Sequence, residues 1–117
     1  MSVPTELRTF DKRCVRSQSL IRQYPDRVPV IVKSSLLPTT KFLVSFDLTV
    51  SGLMVAMRQK LKINESQAFY LCANDKILSG SQSIGEIFNS NKDKDGFLYL
   101  NHCTENVFGG GGDVPSP

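Results

Sequence analysis

The chain has 117 residues, 40% of them apolar, and a formal net charge of +3, which suits one domain with a sizeable core. Its apolar runs are short, such as Val28 to Val32 and Phe97 to Leu100, far under the roughly 20 residues a membrane helix needs. No charged segment leads into an apolar stretch at the start, so secretion is not expected.

The charge is uneven. Residues 1–33 hold seven Lys/Arg against three Asp/Glu, and residues 34–117 hold seven against eight. The first third is therefore a basic face that attracts acidic peptides, anionic headgroups or nucleic acid. Nucleic acid is the weakest of these, because no aromatic platform is interleaved with the cations. Cys14, Cys72 and Cys103 are widely spaced with no Cys-x-x-Cys pair, which reads as free thiols in a reducing compartment, with no metal and no cofactor implied. Asn64-Glu65-Ser66 fits a glycosylation acceptor, which has no consequence without secretion.

In chain order, the first predicted element is an amphipathic helix over residues 10–24. Phe10, Cys14, Ser17, Leu20/Ile21 and Tyr24 recur at spacings of three and four and form one mostly apolar stripe. Tyr24-Pro25 ends it, since the residue before a proline is pushed out of helical angles. Val28 to Val32 reads as a strand, and Pro29 points to a sheet edge or to the strand's first residues. Residues 34–40 form a turn, and Lys41 to Phe46 return as the second strand of a hairpin.

Thr49 is a suitable N-cap for a helix running to about Lys62, and its stripe of Leu53, Met57 and Leu61, flanked by Met54, belongs in a core. Ala68 to Ala73 forms a short buried strand. Ser83-Ile84-Gly85-Glu86 has the capping-box form and opens a helix through Phe88. Phe97 to Leu100 closes the order helix, β-β-α-β-α-β, an α+β layer solution with a mixed sheet. This is the ubiquitin-like β-grasp roll with an added N-terminal helical segment. The expected organisation is a helical extension over residues 1–27, the roll over 28–108, and a flexible Gly-rich tail over 109–117.

The tail itself, Phe108-Gly109-Gly110-Gly111-Gly112-Asp113-Val114-Pro115-Ser116-Pro117, has the shape of a processing site. Glycine lets an extended chain pass through channels that exclude every other residue. A glycine exposed by proteolysis is also an unhindered acyl donor.

Specific words in the sequence carry a resemblance. They are Phe10-Asp11-Lys12-Arg13, Tyr24-Pro25-Asp26-Arg27-Val28-Pro29-Val30-Ile31-Val32, Lys41-Phe42-Leu43-Val44, Asp47-Leu48-Thr49-Val50, Asp95-Gly96-Phe97-Leu98-Tyr99 and Glu105-Asn106-Val107-Phe108-Gly109. In that order the chain resembles the autophagy ubiquitin-like modifiers, the GABARAP and microtubule-associated protein light chain group, as a divergent paralogue.

The resemblance implies a protein that is not an enzyme. An autophagy cysteine protease would cut after Gly109, and activating and conjugating enzymes would carry the glycine to phosphatidylethanolamine. The protein would be cytoplasmic, and on the autophagosome membrane when lipidated. It further implies binding of aromatic-x-x-aliphatic receptor peptides by β-augmentation along Lys41 to Val44. One pocket would use Leu20, Pro29, Leu43 and Phe97, and the other Phe42, Val44, Leu48, Leu53 and Met57. Lys41 and Arg27 would meet acidic residues that flank the motif, and the basic helix leaves tubulin open as a partner.

Several positions depart from the family pattern. The turn between the first two strands is short. Arg16 stands where an acidic residue often faces the ligand, Ser45 replaces a proline, and Ala56 replaces a larger apolar residue. Asn74-Asp75 and Leu78-Ser79 stand for an asparagine pair and a Pro-Pro. The peptide site is therefore expected to be weaker or to prefer a different motif.

Rival readings have less behind them. Asn91 to Gly96 mimics half of a calcium loop, but the twelfth position is His102 where a bidentate Glu is required, so the run reads as a solvated turn. His102 has no nucleophile signature beside it, which makes an enzyme a poor fit. A ubiquitin-like adaptor that is never conjugated, or a modifier joined to a protein and not to lipid, keeps the same fold.

Overall fold

The structure is a computed structural model, and it describes residues 5–64 and 66–104. Helix α1 (Thr5–Gln23) is followed by β1 (Arg27–Lys33), β2 (Thr40–Ser45), α2 (Val50–Leu61), β3 (Phe69–Ala73), β4 (Lys76–Ile77), α3 (Ile84–Asn91) and β5 (Leu98–Thr104). The five strands form one mixed sheet in the order β2-β1-β5-β3-β4. β1 and β2 are an antiparallel hairpin, β5 lies parallel to β1, and β3 lies antiparallel to β5.

Local signals account for most of the boundaries. The side chain of Thr49 accepts the Gly52 N–H at the start of α2, and Lys62 closes that helix at φ 55°, its N–H bonded to the Arg58 carbonyl. Ser83 accepts the Glu86 N–H at the start of α3. Asn74 and Asp75 both have positive φ, 50° and 68°, which is the two-residue type I′ turn that suits the twist of a β3–β4 hairpin.

Side-chain alternation then builds the core. Val28, Val30 and Val32 of β1 share one face with Leu98 and Leu100 of β5 and Phe69, Leu71 and Ala73 of β3. They pack in one buried cluster with Leu53 and Met57 of α2 and Ile84, Ile87 and Phe88 of α3. Pro29 and Ile31 alternate to the other face, and α1 packs on β1.

Five sequence expectations need correction. The first helix runs from Thr5, not residue 10, and Tyr24 is outside it and 40% exposed, because the Pro25 turn carries its ring away from the stripe. β1 is an interior strand, so of the two readings of Pro29 the sheet edge fails and a place among the strand's first residues holds, Pro29 being the third residue of β1. Its pairing with β5 begins only at Val30, so the missing N–H falls where no β5 partner stands. β4 was not expected; at two residues it carries no periodicity. The last helix continues past Phe88 to Asn91, and the last strand continues past Leu100 to Thr104.

The Asn91–Gly96 run is also not simply solvated, since Asp95 is only 1% exposed. It anchors α1. The Ser17 hydroxyl, itself buried, donates to the Asp95 carbonyl at 2.6 Å, and Arg13 Nε donates to Asp95 Oδ2 at 2.9 Å. Gly96 allows this approach: it has φ +92°, and a Cβ there would lie 2.2 Å from Ser17 Oγ.

His102 is buried, with Nδ1 3.0 Å from Ser34 Oγ and its ring 4.8 Å from that of Phe69. Burial holds its pKa below the ordinary histidine value, so the ring is neutral at pH 7.

Candidate peptide-binding edge

β2 is an outer strand of the sheet, with β1 as its one strand partner among the described residues. Pro29 lies opposite Leu43, and Ile31 opposite Lys41. Proline has no N–H, so the Pro29–Leu43 position takes the non-hydrogen-bonded site of the ladder, as does Ile31–Lys41 two residues along. The backbone groups of Lys41 and Leu43 then point away from β1, toward the open edge. Two side-chain bonds agree with this: Lys60 Nζ donates to the Lys41 carbonyl at 3.2 Å, and an Arg27 guanidinium nitrogen donates to the Leu43 carbonyl at 3.4 Å. Cations on an exposed strand edge also discourage unspecific pairing.

Beside this edge is a cleft of ≈ 170 Å³ lined by Arg16, Leu20, Pro29, Val30, Lys41, Phe42, Leu43 and Phe97. The chain brings them together by three routes. α1 supplies Arg16 and Leu20 from successive turns. The β1–β2 hairpin supplies Pro29, Val30, Lys41, Phe42 and Leu43 in register. The turn into β5 supplies Phe97. Both charged residues of the lining are cations, and an apolar cavity of about this size holds one aromatic ring.

The anchor of α1 fixes one wall of the cleft. Asp95 accepts bonds from Arg13 Nε, the Tyr99 hydroxyl and the Phe97 N–H. Burial by itself would raise the Asp95 pKa, but the Tyr99 hydroxyl, the Phe97 N–H and Arg13 together outweigh it and hold the carboxyl below its ordinary value. Tyr99 is pushed up to about 12, first by burial and then by its bond to Asp95.

Of the first set of expected peptide-binding residues, Leu20, Pro29, Leu43 and Phe97 all line this cleft, with Lys41 beside them. Arg27 is exposed on the edge. The second set, Phe42, Val44, Leu48, Leu53 and Met57, is placed differently. Leu53 and Met57 are 0% exposed and Val44 9%, so these three belong to the core. Phe42 and Leu48 are half-buried at its rim, and the Lys60 ammonium lies 4.8 Å from the Phe42 ring centroid.

Sequence reasoning missed Lys60 as a neighbour of the edge and the Ser17–Asp95–Gly96 anchor. An Asp-Gly pair just before a strand was the available signal for the anchor. Gly109 and the rest of the tail are outside the described residues.

A family model described as "Autophagy protein Atg8 ubiquitin like" matches residues 12–109. The chain belongs to the Atg8 family. Atg8-family relatives include Autophagy-related protein 8 of Kluyveromyces marxianus, 34% identical over 111 residues that cover 90% of each chain. Autophagy-related protein 8c of Arabidopsis thaliana is 31% identical, covering 86% of this chain and 89% of its own. Among solved structures, Trypanosoma brucei ATG8 superposes with a TM-score of 0.78 at 31% identity, over 86% of this chain and 91% of that one. The ubiquitin-like fold and the link to autophagy are thereby established for this Atg8-family chain.

Proposed function

We propose that this Atg8-family chain is a ubiquitin-like modifier cut after Gly109. The freed carboxylate passes through activating and conjugating enzymes to the amine of phosphatidylethanolamine, and the protein recruits receptors to autophagic membranes through aromatic-x-x-aliphatic peptides. The apolar cleft beside a strand edge with no outer strand partner among the described residues is the observation that carries the peptide part of this reading. A peptide added to β2 would bond to the outward backbone groups of Lys41 and Leu43. It would place its aromatic side chain against Leu20, Pro29, Leu43 and Phe97. Two residues on, its aliphatic side chain would meet Phe42 and Leu48, with Val44, Leu53 and Met57 as the floor beneath. Lys41, Arg16 and Arg27 favour acidic residues in and around the motif.

The choice of Gly109 is supported by the family match, which ends at that residue. β5 ends at Thr104, and the five residues from there to Gly109 span at most about 17 Å when extended. A residue without Cβ offers least obstruction to each acyl transfer.

The test is to express the chain and its Gly109→Ala variant in their own cells, following mass and membrane partition. The expected result is loss of the residues beyond Gly109, a lipid-sized gain in mass and pelleting with membranes, all absent in the variant. An unchanged full-length mass would make the protein a non-conjugated adaptor. A protein-sized gain would make it a modifier of proteins.

A further inference from the structure

Cys72 and Cys103 stand on neighbouring strands with their Sγ atoms 4.0 Å apart. The β3–β5 register pairs Cys72 with Asn101 and Tyr70 with Cys103, so the two thiols occupy diagonal positions on one face of the sheet. Cys72 is buried and Cys103 half-buried, which leaves the pair open to solvent on the Cys103 side. The third thiol, Cys14, is on α1 and lies 3.9 Å from the Lys94 carbonyl.

Two sulfurs so placed can join in a disulfide or share a soft ion, and the distances discriminate. A disulfide needs sulfurs about 2.05 Å apart and Cα atoms within about 6.8 Å. Diagonal positions in a regular ladder are about 7–8 Å apart. Closing that bond would draw the sulfurs together by about 2 Å from where they stand. An ion held in line between two thiolates, about 2.3 Å from each, needs sulfurs about 4.6 Å apart, so the pair at 4.0 Å has only to spread slightly by side-chain rotation. Among the described residues no group of three or more His, Cys, Asp or Glu is placed to hold a metal, so the ligand set is two sulfurs. Such a set suits a soft, low-coordinate ion such as monovalent copper over a hard or octahedral one.

We infer that Cys72 and Cys103 form a dithiolate site for a soft, low-coordinate cation, with Cu(I) as its first-row representative. In binding, two thiols and one Cu⁺ become a bis-thiolate complex of charge −1, and two protons leave. Burial pushes the Cys72 thiol up, with Cys103 adding to the shift, so without an ion the Cys72 thiol stays protonated at pH 7. The ion has to displace those protons, as at any thiolate site.

The test uses the full-length reduced protein under anaerobic conditions, with Cu(I) supplied in competition with a chromogenic Cu(I) chelator. Wild type and Cys14→Ser are expected to retain one ion per chain. Cys72→Ser and Cys103→Ser should each weaken retention by more than about 100-fold, beyond the 10–100-fold typical of groups that merely support a ligand. Urea midpoints of the serine variants separate a lost ligand from a lost fold. Retention unchanged in Cys103→Ser, or dependent on Cys14, would overturn the assignment. So would treatment with a diazene oxidant that yields a Cys72–Cys103 disulfide in a protein holding no Cu(I) against the chelator.

Discussion

Replacing Gly96 by alanine tests how α1 is held. Gly96 has φ +92°, and a Cβ there would lie 2.2 Å from Ser17 Oγ and 3.0 Å from Ser17 Cβ. The hydroxyl can turn away, but the Ser17 Cβ belongs to the helix and moves only if α1 moves. The left-handed backbone costs an alanine about 1–2 kcal/mol. Loss of the Ser17–Asp95 bond costs about 1 kcal/mol more, and the stiffer unfolded chain returns about 0.4–1 kcal/mol. The net destabilisation is about 2 kcal/mol, read as a lower urea midpoint by circular dichroism, or as roughly 8 °C in Tm for a domain of this size. Gly80→Ala is the control. Its Cβ would meet only the Ser51 side chain, with Oγ at 2.4 Å, and Ser51 is exposed and free to rotate. That change should stay within about 0.5 kcal/mol of wild type. If Gly96→Ala unfolds no more easily than Gly80→Ala, the anchor has no energetic weight and the reasoning fails. Because α1 carries Leu20 into the cleft, Gly96→Ala should also weaken peptide binding.

The pH response has a defined sign. Asp95 is held below its ordinary pKa of 3.8 and His102 below 6.5, so each contributes stability that is present above its unfolded value and lost as pH falls through the folded one. Urea midpoints should drop as pH falls below 6.5 in wild type and less so in His102→Phe, while Asp95→Asn should flatten the steeper loss at still lower pH. Tyr99, raised to about 12, stabilises the fold while protonated, and that contribution is lost as pH rises from 10 through 12; a tyrosinate absorbance step near 12 should vanish in Tyr99→Phe. Leu53→Ala should cost about 2–5 kcal/mol in urea unfolding, as for any fully buried leucine. Leu48→Ala, at the rim, should cost about 1 kcal/mol or less and still weaken an aromatic-x-x-aliphatic peptide in a fluorescence titration. Lys41→Glu should slow association of an acidic peptide and flatten its dependence on salt, whereas Leu20→Arg should fill the cleft and reduce affinity by more than about tenfold.

The fold was legible wherever one local rule acted alone. Thr49 and Ser83 announced two helix starts by capping, the β-branched run at Val28 to Val32 announced a strand, and the period of Leu53 and Met57 placed α2 on the core. What was not legible depended on pairing at a distance. Pro29 looks like an edge residue until the register shows that β5 meets β1 only from Val30. His102 and Cys103 have no strand signature, and they are strand because Leu71 and Tyr70 of β3 pair with them. Asp95 sits in a run of alternating charge that looks solvated, and only the approach of α1 buries it. The candidate cleft was partly legible: Leu20, Pro29, Leu43 and Phe97 were expected together and adjoin in space. The period of Leu53 and Met57 had already placed them in the core, where they lie fully buried; only the resemblance put them in a pocket.

β5 lies in the middle of the sheet, between β1 and β3, and it is the last element of the described residues. A pull on that end, resisted by anything held along β2, runs from β5 through β1 to β2 and loads both ladders sideways. Rows of backbone bonds strained together in this way must rupture as a group and cannot peel one at a time. The strand order therefore makes the domain a stiff mechanical link between whatever grips its outer edge and whatever holds its final residues.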